Sequence, residues 1–149
     1  MYLSATNLGD EGVKRLAACL SDGGLPSLRT ILLNGNGIGD EGIAALADAL
    51  AKKKTPTVAG LYLTDNNIGD EGIKALMATA AKGKLTTLKG LWLDGNPFAE
   101  AGAEMLEHTI ASGMAGGTLP AMQLLGVPEA HRGNTRLRAL GLFRAGLID

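Results

Sequence analysis

The sequence predicts an α/β solenoid, in which short parallel strands alternate with helices along a repeating chain. The tetrad Gly-Asp-Glu-Gly occurs at 9–12, 39–42 and 69–72, so the period is 30 residues both times. Aligning residues 31–60 with residues 61–90 gives 15 identities in 30 positions. Each period combines one segment of strand-like alternation with one helical apolar stripe. Such a strict period is typical of a solenoid, whose stacked repeats bury one continuous core.

The first half of each repeat predicts a short strand with one buried face, because apolar residues recur there at every second position. The spacing apolar-x-x-apolar-x-apolar occurs in three segments, residues 28–33, 58–63 and 88–93. The same spacing at 119–124 predicts a fifth strand, with Val127 where the other repeats have Asn. Because Met1 aligns with Ile31, we expect the chain to begin inside a first strand, whose open edge invites pairing.

The second half of each repeat predicts an amphipathic helix. Ile43, Leu46 and Leu50 stand at i, i+3 and i+7, which places them on one stripe of a helix. We expect four helices, near residues 10–20, 40–52, 70–82 and 100–112. An aspartate opens three of them, and we expect each to be the N-cap of its own helix. These aspartates are Asp10, Asp40 and Asp70.

These motifs carry a resemblance to a known family. The pattern Leu88-x-x-Leu91-x-Leu93-x-x-Asn96, with Ile-Gly-Asp-Glu-Gly after the Asn in earlier repeats, resembles the leucine-rich repeats of the ribonuclease-inhibitor subfamily. The resemblance covers residues 1–112 and implies a curved α/β horseshoe, with a parallel concave sheet and convex helices. An Asn at the end of each strand can satisfy buried backbone groups of the turn. We therefore expect a leucine-rich repeat array of about five strands over 1–127, followed by a C-terminal capping segment or tail over 128–149.

Composition argues against several classes of function. The formal net charge is −1, which disfavours nucleic-acid binding, and no apolar run is long enough to cross a membrane. Cys19 is the single cysteine, and His108 and His131 are far apart, so we expect no metal, no cofactor and no catalytic residues. We expect the Cys19 thiol to be largely buried. The N-terminus lacks the pattern of a signal peptide, so the predicted location is intracellular and cytoplasmic.

The outward strand positions predict a partner-binding surface. One column of the sheet is expected to carry three of the five aromatic residues, and we call it the aromatic ridge: Tyr2, Leu32, Tyr62 and Trp92, with Gln123 in the fifth repeat. A polar column is expected beside it: Ser4, Asn34, Thr64, Asp94 and Leu125. Small residues are expected on the other side: Thr30, Gly60, Gly90 and Ala121. Tyr and Trp are enriched among binding hot spots. The predicted contact residues are Trp92, Tyr62, Leu32, Tyr2, Asp94, Thr64 and Asn34.

Other interpretations of the same residues stay open. The aromatic side chains could serve only to stack on each other, or the tail could fold back over them. Alternatively, the chain is a structural subunit or homo-oligomer held through its N-terminal edge, its convex face or its tail. The resemblance also extends to GTPase-activating members of the subfamily, and a GTPase-regulating role is the third hypothesis. No residue of this sequence matches the functional positions of those members.

Overall fold

The computed structural model describes residues 1–52, 57–120, 122–128 and 130. Four helices alternate with four strands in chain order: α1 (Gly9–Ser21), β1 (Thr30–Leu32), α2 (Asp40–Leu50), β2 (Gly60–Tyr62), α3 (Asp70–Ala81), β3 (Gly90–Trp92), α4 (Glu100–Gly116) and β4 (Leu124–Gly126). The strands form one parallel sheet in the order β1-β2-β3-β4, and Tyr2 extends it through a parallel bridge to Leu32. The α/β solenoid predicted from the sequence is confirmed.

The 30-residue repeat period sets the register of the sheet. Ile31 pairs with Leu61, and Leu61 pairs with Leu91, so equivalent residues of successive repeats lie side by side. The inward strand residues meet the apolar stripes of the helices, and the core fills the space between the two layers. Leu33, Leu63 and Leu93 are completely buried, and each such side chain contributes about 1.5–3 kcal/mol by leaving water.

Buried asparagines tie the repeats together, as the strand-end pattern predicts. The Asn66 Oδ1 accepts hydrogen bonds from the Asn36 N–H (2.9 Å) and the Ile38 N–H (3.1 Å) of the preceding repeat. Its Nδ2 donates to the carbonyl oxygens of Leu33 (2.9 Å) and Leu63 (3.0 Å). Equivalent bonds surround Asn36 and Asn96. Each amide therefore satisfies backbone groups of two successive turns.

The aspartates do not cap their own helices, so that expectation is wrong. The N-caps of α2 and α3 are Gly39 and Gly69, and neither makes a side-chain capping bond. Instead, the Asp40 Oδ1 accepts the Gly69 N–H at 2.7 Å, at the start of the next helix. Asp10 accepts the N–H groups of Gly39 (2.7 Å) and Gly42 (3.0 Å), and Asp70 bonds in the same way to Ala99 and Gly102. Because the helices stack side by side, an aspartate in one first turn faces the unpaired N–H groups of the next.

The fifth strand has a different register from the predicted one. Gly90 pairs with Leu124, which stands 34 residues later, because α4 continues to Gly116 rather than ending near residue 112. Gly117 then ends the helix with a left-handed φ of 84°. Two predictions for this strand are consequently wrong. Leu125 is a buried core residue, and Gly126 rather than Gln123 pairs with Trp92.

Because of this change in register, Val127 does not stand at the position of the strand-end Asn, so that prediction is wrong. Counted from the Gly90–Leu124 pair, Val127 is equivalent to Leu93, and it is completely buried. Ala121 of the predicted small column lies outside the described residues. The predicted capping segment 128–149 also lies outside them, except for Pro128 and Ala130.

Cys19 is exposed, so the expectation of a buried thiol is wrong. The equivalent residue in α2 is Ala49, of which only 1% is exposed because α1 packs beside it. No described helix covers the corresponding side of α1. The exposure of this helix position therefore depends on where its repeat lies in the stack of helices and not on the residue type.

Candidate partner-binding surface

The sheet register places the four residues of the aromatic ridge in one line. Tyr2 bridges to Leu32, Leu32 pairs with Tyr62, and Tyr62 pairs with Trp92. Parallel strands lie about 4.8 Å apart, so these side chains form one continuous strip across the outward face of the sheet. That outward face is the concave face of the solenoid.

Tyr62 and Trp92 are stacked on each other. Their ring centroids are 3.9 Å apart and their planes differ by 9°. Both side chains remain partly exposed, as does Leu32, whereas Tyr2 is 84% exposed at the end of the strip. Stacking and exposure therefore coexist, and the face carries one rigid aromatic pair with apolar neighbours towards the N-terminal edge.

Gly60 and Gly90 leave the space in which the two rings pack. The sequence analysis did not predict this role. A Cβ built on Gly90 would collide with Cη2 and Cζ3 of the Trp92 indole, and one built on Gly60 would lie 3.4 Å from Cε2 of Tyr62. Both glycines are buried, so this column is the floor under the rings and not a shallow flank. The available signal was a glycine two residues before each aromatic residue, on the same face of the strand.

The polar column has both structural and exposed members. The Asn34 Oδ1 accepts the Thr64 N–H at 2.9 Å, which links the ends of β1 and β2. Ser4 is exposed, and Asn34, Thr64 and Asp94 are half-buried. The column therefore flanks the aromatic ridge with groups that can donate or accept hydrogen bonds.

A carboxylate and an indole converge at β4. A Cβ built on Gly126 would collide with Oδ2 of Asp94 and would lie 3.0 Å from Cδ1 of Trp92. Asp65, which the sequence analysis did not single out, is exposed one position beyond the polar column. Its Oδ1 occupies the place that a side chain on Gly95 would take. The C-terminal end of the sheet is therefore acidic beside its aromatic pair.

No described residue pairs with the outer side of the backbone at Tyr2. Leu32 donates its N–H to the Met1 carbonyl (3.0 Å), and its carbonyl accepts the Leu3 N–H (2.9 Å). In a parallel bridge of this kind, the N–H and C=O of Tyr2 point away from β1, towards the outside. Leu25 is 46% exposed near this end. Polar backbone and apolar side chains are thus accessible together on the first repeat.

Lys14 of α1 lies between two carboxylates in the helical layer. Lys14 donates to Glu41 at 2.9 Å and to Glu11 at 3.1 Å, and these two hydrogen bonds raise the pKa of its ammonium above 10.5. The bond to Glu41 links α1 to α2. Because all three groups are solvent-exposed, water and salt screen the interaction strongly.

The described part of the chain contains no group of three or more His, Cys, Asp or Glu side chains that could hold a metal ion. Over the same residues, no helix combines the length and the apolar character needed to cross a membrane.

Comparisons with known proteins agree with this architecture. The sequence profile described as Leucine Rich repeat matches residues 24–47 and 60–77. Among solved structures, the chain is similar to "Leiomodin-1 Actin-Binding Site 2 (ABS2)", with a TM-score of 0.72 and 16% identity, over 95% of this chain and 77% of that chain. At this identity the similarity concerns the fold alone. A sequence search of curated proteins finds no match. The repeat period, the profile match and the shared fold together make this chain an α/β leucine-rich-repeat solenoid.

Proposed function

We propose that the chain is a non-catalytic protein-interaction module that binds its partner through the concave face. The observation that carries this proposal is the Tyr62–Trp92 stack, held at 3.9 Å on a rigid parallel sheet. Aromatic side chains bury a large area with few rotatable bonds. Because the stack is already ordered, a partner that covers it loses little conformational entropy on binding.

The remaining predicted contact residues surround the stack in this proposal. Leu32 and Tyr2 extend the apolar strip, and Asn34, Thr64 and Asp94 form its polar flank. The leucine-rich-repeat fold supports a protein as the partner class, and the structural neighbour is itself named for an actin-binding site. For this chain, that neighbour supports the partner class and not actin in particular.

Two finer assignments belong to the same proposal. We assign the repeats to the ribonuclease-inhibitor-like subfamily, on the residues Ile-Gly-Asp-Glu-Gly that follow the strand-end Asn36 and Asn66. We also assign the protein to the cytoplasm, because an exposed free thiol such as that of Cys19 suits a reducing compartment.

The test is partner capture from native extract by the wild-type chain and by single variants. We expect Trp92→Ala and Tyr62→Ala to weaken capture of the same protein by about 30-fold or more, as a hot-spot loss of 2 kcal/mol implies. Leu25→Ala is the matched control, because it removes exposed apolar area away from the concave face. Circular dichroism and thermal unfolding verify that each variant is folded. Unchanged affinity in both aromatic variants would contradict the proposal.

A second candidate function is that of an assembly subunit joined through the N-terminal edge. It is favoured by the outward N–H and C=O of Tyr2 and by the 84% exposure of its side chain. An unpaired strand edge of this kind is a template for pairing with another chain, including a second copy. The GTPase-regulating role implied by resemblance gains no support from the described residues, and stimulated GTP hydrolysis is its assay.

Light scattering of the purified chain separates this candidate from the first. Tyr2→Pro removes the outward N–H without removing a bond to β1, so it should abolish edge assembly. Tyr2→Thr removes the same aromatic ring but keeps the N–H, and it should preserve the assembly. Equal behaviour of the two variants would exclude pairing through this edge.

A further inference from the structure

The helical layer has an open groove between α2 and α3, with a volume of about 460 Å³. Its surface is mostly apolar, because three alanines line it: Ala44, Ala75 and Ala78. Charged residues of the two helices complete its lining: Asp40, Glu41, Glu71 and Lys74. We call this surface the alanine groove.

Charges alternate along the first two turns of the neighbouring helices until they reach the alanine groove. Lys14 of α1 donates to Glu11 at 3.1 Å and to Glu41 of α2 at 2.9 Å, so its ammonium joins two helices. The residue that stands 30 positions after Lys14, at the equivalent place in α2, is Ala44. An ammonium at that place would lie between Glu41 and Glu71 in the same way. The groove therefore lies where one repeat lacks the lysine of the repeat before it.

The lining of the groove has an excess of negative charge. It contains three carboxylates and one ammonium. Asp40 is engaged in capping α3, and Lys74 lies 4.0 Å from Glu71. The side chains of Glu41 and Glu71 are each 77% exposed, so a partner can reach both. A carboxylate has about four acceptor positions, so Glu41 can bond to Lys14 and to a second ammonium.

From this arrangement we infer that the alanine groove binds a lysine side chain of a protein partner, in place of the lysine that this repeat lacks. The methylene stem lies on the alanine methyl groups, and the ammonium donates to Glu41 and Glu71. Lysine stems commonly cover apolar surface while the charged end stays in water. This surface belongs to the helical layer, so the inference does not depend on binding through the concave face.

Lysine fits the groove better than arginine does. Its ammonium has three donors on one atom, so it can bridge carboxylates of two helices, as Lys14 does between α1 and α2. The guanidinium is a planar fork that matches a single carboxylate with two parallel bonds. None of the lining residues of the groove is aromatic, so the guanidinium has no ring there on which to stack. A neutral side chain of the same length gains only the apolar contact.

The methyl resonances of Ala44, Ala75 and Ala78 report directly on the surface of the groove. The full chain is titrated at low ionic strength with acetyl-Gly-Lys-Gly-amide and with two counterparts, which carry arginine or Nε-acetyl-lysine instead. We expect saturable shifts of the three methyl resonances with the lysine peptide. Binding should be several-fold weaker with the arginine peptide and should not saturate with the acetylated one. High salt should weaken the lysine peptide, because exposed charges are screened.

Variants assign the contact to the groove. Ala44→Lys supplies the missing ammonium from the chain itself, so it should abolish binding of the lysine peptide. Ala18→Lys is the matched control, because it adds the same charge at an exposed position of α1 outside the groove. Glu71→Gln should weaken the peptide several-fold, as loss of an exposed ion pair implies. Glu11→Gln, which removes a carboxylate outside the groove, should leave the affinity unchanged.

Lysine is a good helix former, so both lysine variants should fold, and thermal unfolding verifies this. Three results would overturn the inference. Equal binding of the lysine and acetyl-lysine peptides would exclude recognition of charge. Equal or tighter binding of the arginine peptide would exclude lysine as the preferred side chain. Unchanged affinity in Ala44→Lys would exclude the groove. Partner capture by Trp92→Ala is independent of all three, so the proposed function is tested separately.

The same methyl resonances also identify any other occupant of the groove. If they depend on protein concentration without a peptide, a second copy fills it. If they move when the four arginines of residues 131–149 are replaced by Gln, the occupant is that segment of the chain itself. Either outcome overturns the assignment to a separate partner. Resonances that are unaffected by both changes, and that shift with the lysine peptide in the wild type but not in Ala44→Lys, support it.

Discussion

The Asp40 carboxylate in α2 accepts the Gly69 N–H at 2.7 Å and so caps the start of α3. Asp10 and Asp70 accept equivalent N–H groups, so the first turn of each of α1, α2 and α3 is linked to the start of the next helix. The Gly-Asp-Glu-Gly tetrad therefore couples neighbouring repeats. Its aspartate supplies the acceptor, and residues at the start of the next helix supply the N–H groups: Gly39 and Gly42 for Asp10, Gly69 for Asp40, and Ala99 and Gly102 for Asp70.

Replacing Asp40 should destabilise the helix that follows it. We expect Asp40→Ala to lower the free energy of unfolding by about 1–2 kcal/mol, the usual cost of a lost cap. Hydrogen exchange should accelerate in the first turn of α3 and not in that of α2. Asp48→Ala on the same helix is the control, and it should stay within about 0.5 kcal/mol of wild type. Faster exchange confined to α2 would contradict this link between the helices.

Removing the Asn66 amide should be more costly, because it removes the partner of three buried backbone groups: the N–H of Asn36, the N–H of Ile38 and the carbonyl of Leu33. With about 1–3 kcal/mol for each unsatisfied group, we expect Asn66→Ala to lower the unfolding free energy by at least about 3 kcal/mol. Urea denaturation measures the change. Asn67→Ala is the control at an exposed neighbouring position. Similar losses in the two variants would argue against the buried asparagine network.

A side chain at Gly90, in the space where the Trp92 ring packs, should disturb the aromatic stack. An added Cβ on Gly90 meets the indole, so Gly90→Ala should move the ring away from Tyr62. We expect changes in tryptophan fluorescence and near-ultraviolet circular dichroism, and weaker partner binding. Gly116→Ala makes the same chemical change in α4, where no atom lies within 4 Å of the added Cβ. An unaltered Trp92 signal in Gly90→Ala would show that the ring does not need this space.

The Cys19 thiol should react in the folded protein. Because it is exposed, we expect a disulfide reagent to label it within about tenfold of the rate in urea. The control places the thiol one repeat later, in the double variant Cys19→Ser with Ala49→Cys. Ala49 is only 1% exposed, so this thiol should react only on unfolding. Protection of Cys19 in the wild type would indicate that something covers the N-terminal edge.

Local patterns were sufficient to predict the repeating part of the fold. Leu33, Leu63 and Leu93 recur at a spacing of 30 residues, each two positions after another apolar strand residue, and all three are buried. The strand-end asparagines bond to turn backbone, as the pattern suggested. Such features repeat because each position has the same neighbours in every repeat, so one prediction serves for all of them.

The repeat pattern was not sufficient at positions whose structural neighbours differ from those of the equivalent positions in other repeats. The register of β4 depends on where α4 ends, and the extra turn before Gly117 moved Gly126 into the place expected for Gln123. The register of Tyr2, Leu32, Tyr62 and Trp92 agrees with the repeat spacing, whereas the packing of the two rings over Gly60 and Gly90 depends on their rotamers. Asp65 was missed because a single exposed aspartate carries no pattern.

The sequence by itself determined the period, the alternation of strands and helices, the core positions and the line of Tyr2, Leu32, Tyr62 and Trp92. These follow from spacing along the chain, because a residue's face is set by its place in a strand or helix. The tertiary structure alone decided that Asp40 caps the next helix, that Cys19 is exposed and that Asp94 meets Trp92 over Gly126. Each of these depends on which repeat lies alongside, and on the distance at which two repeats pack.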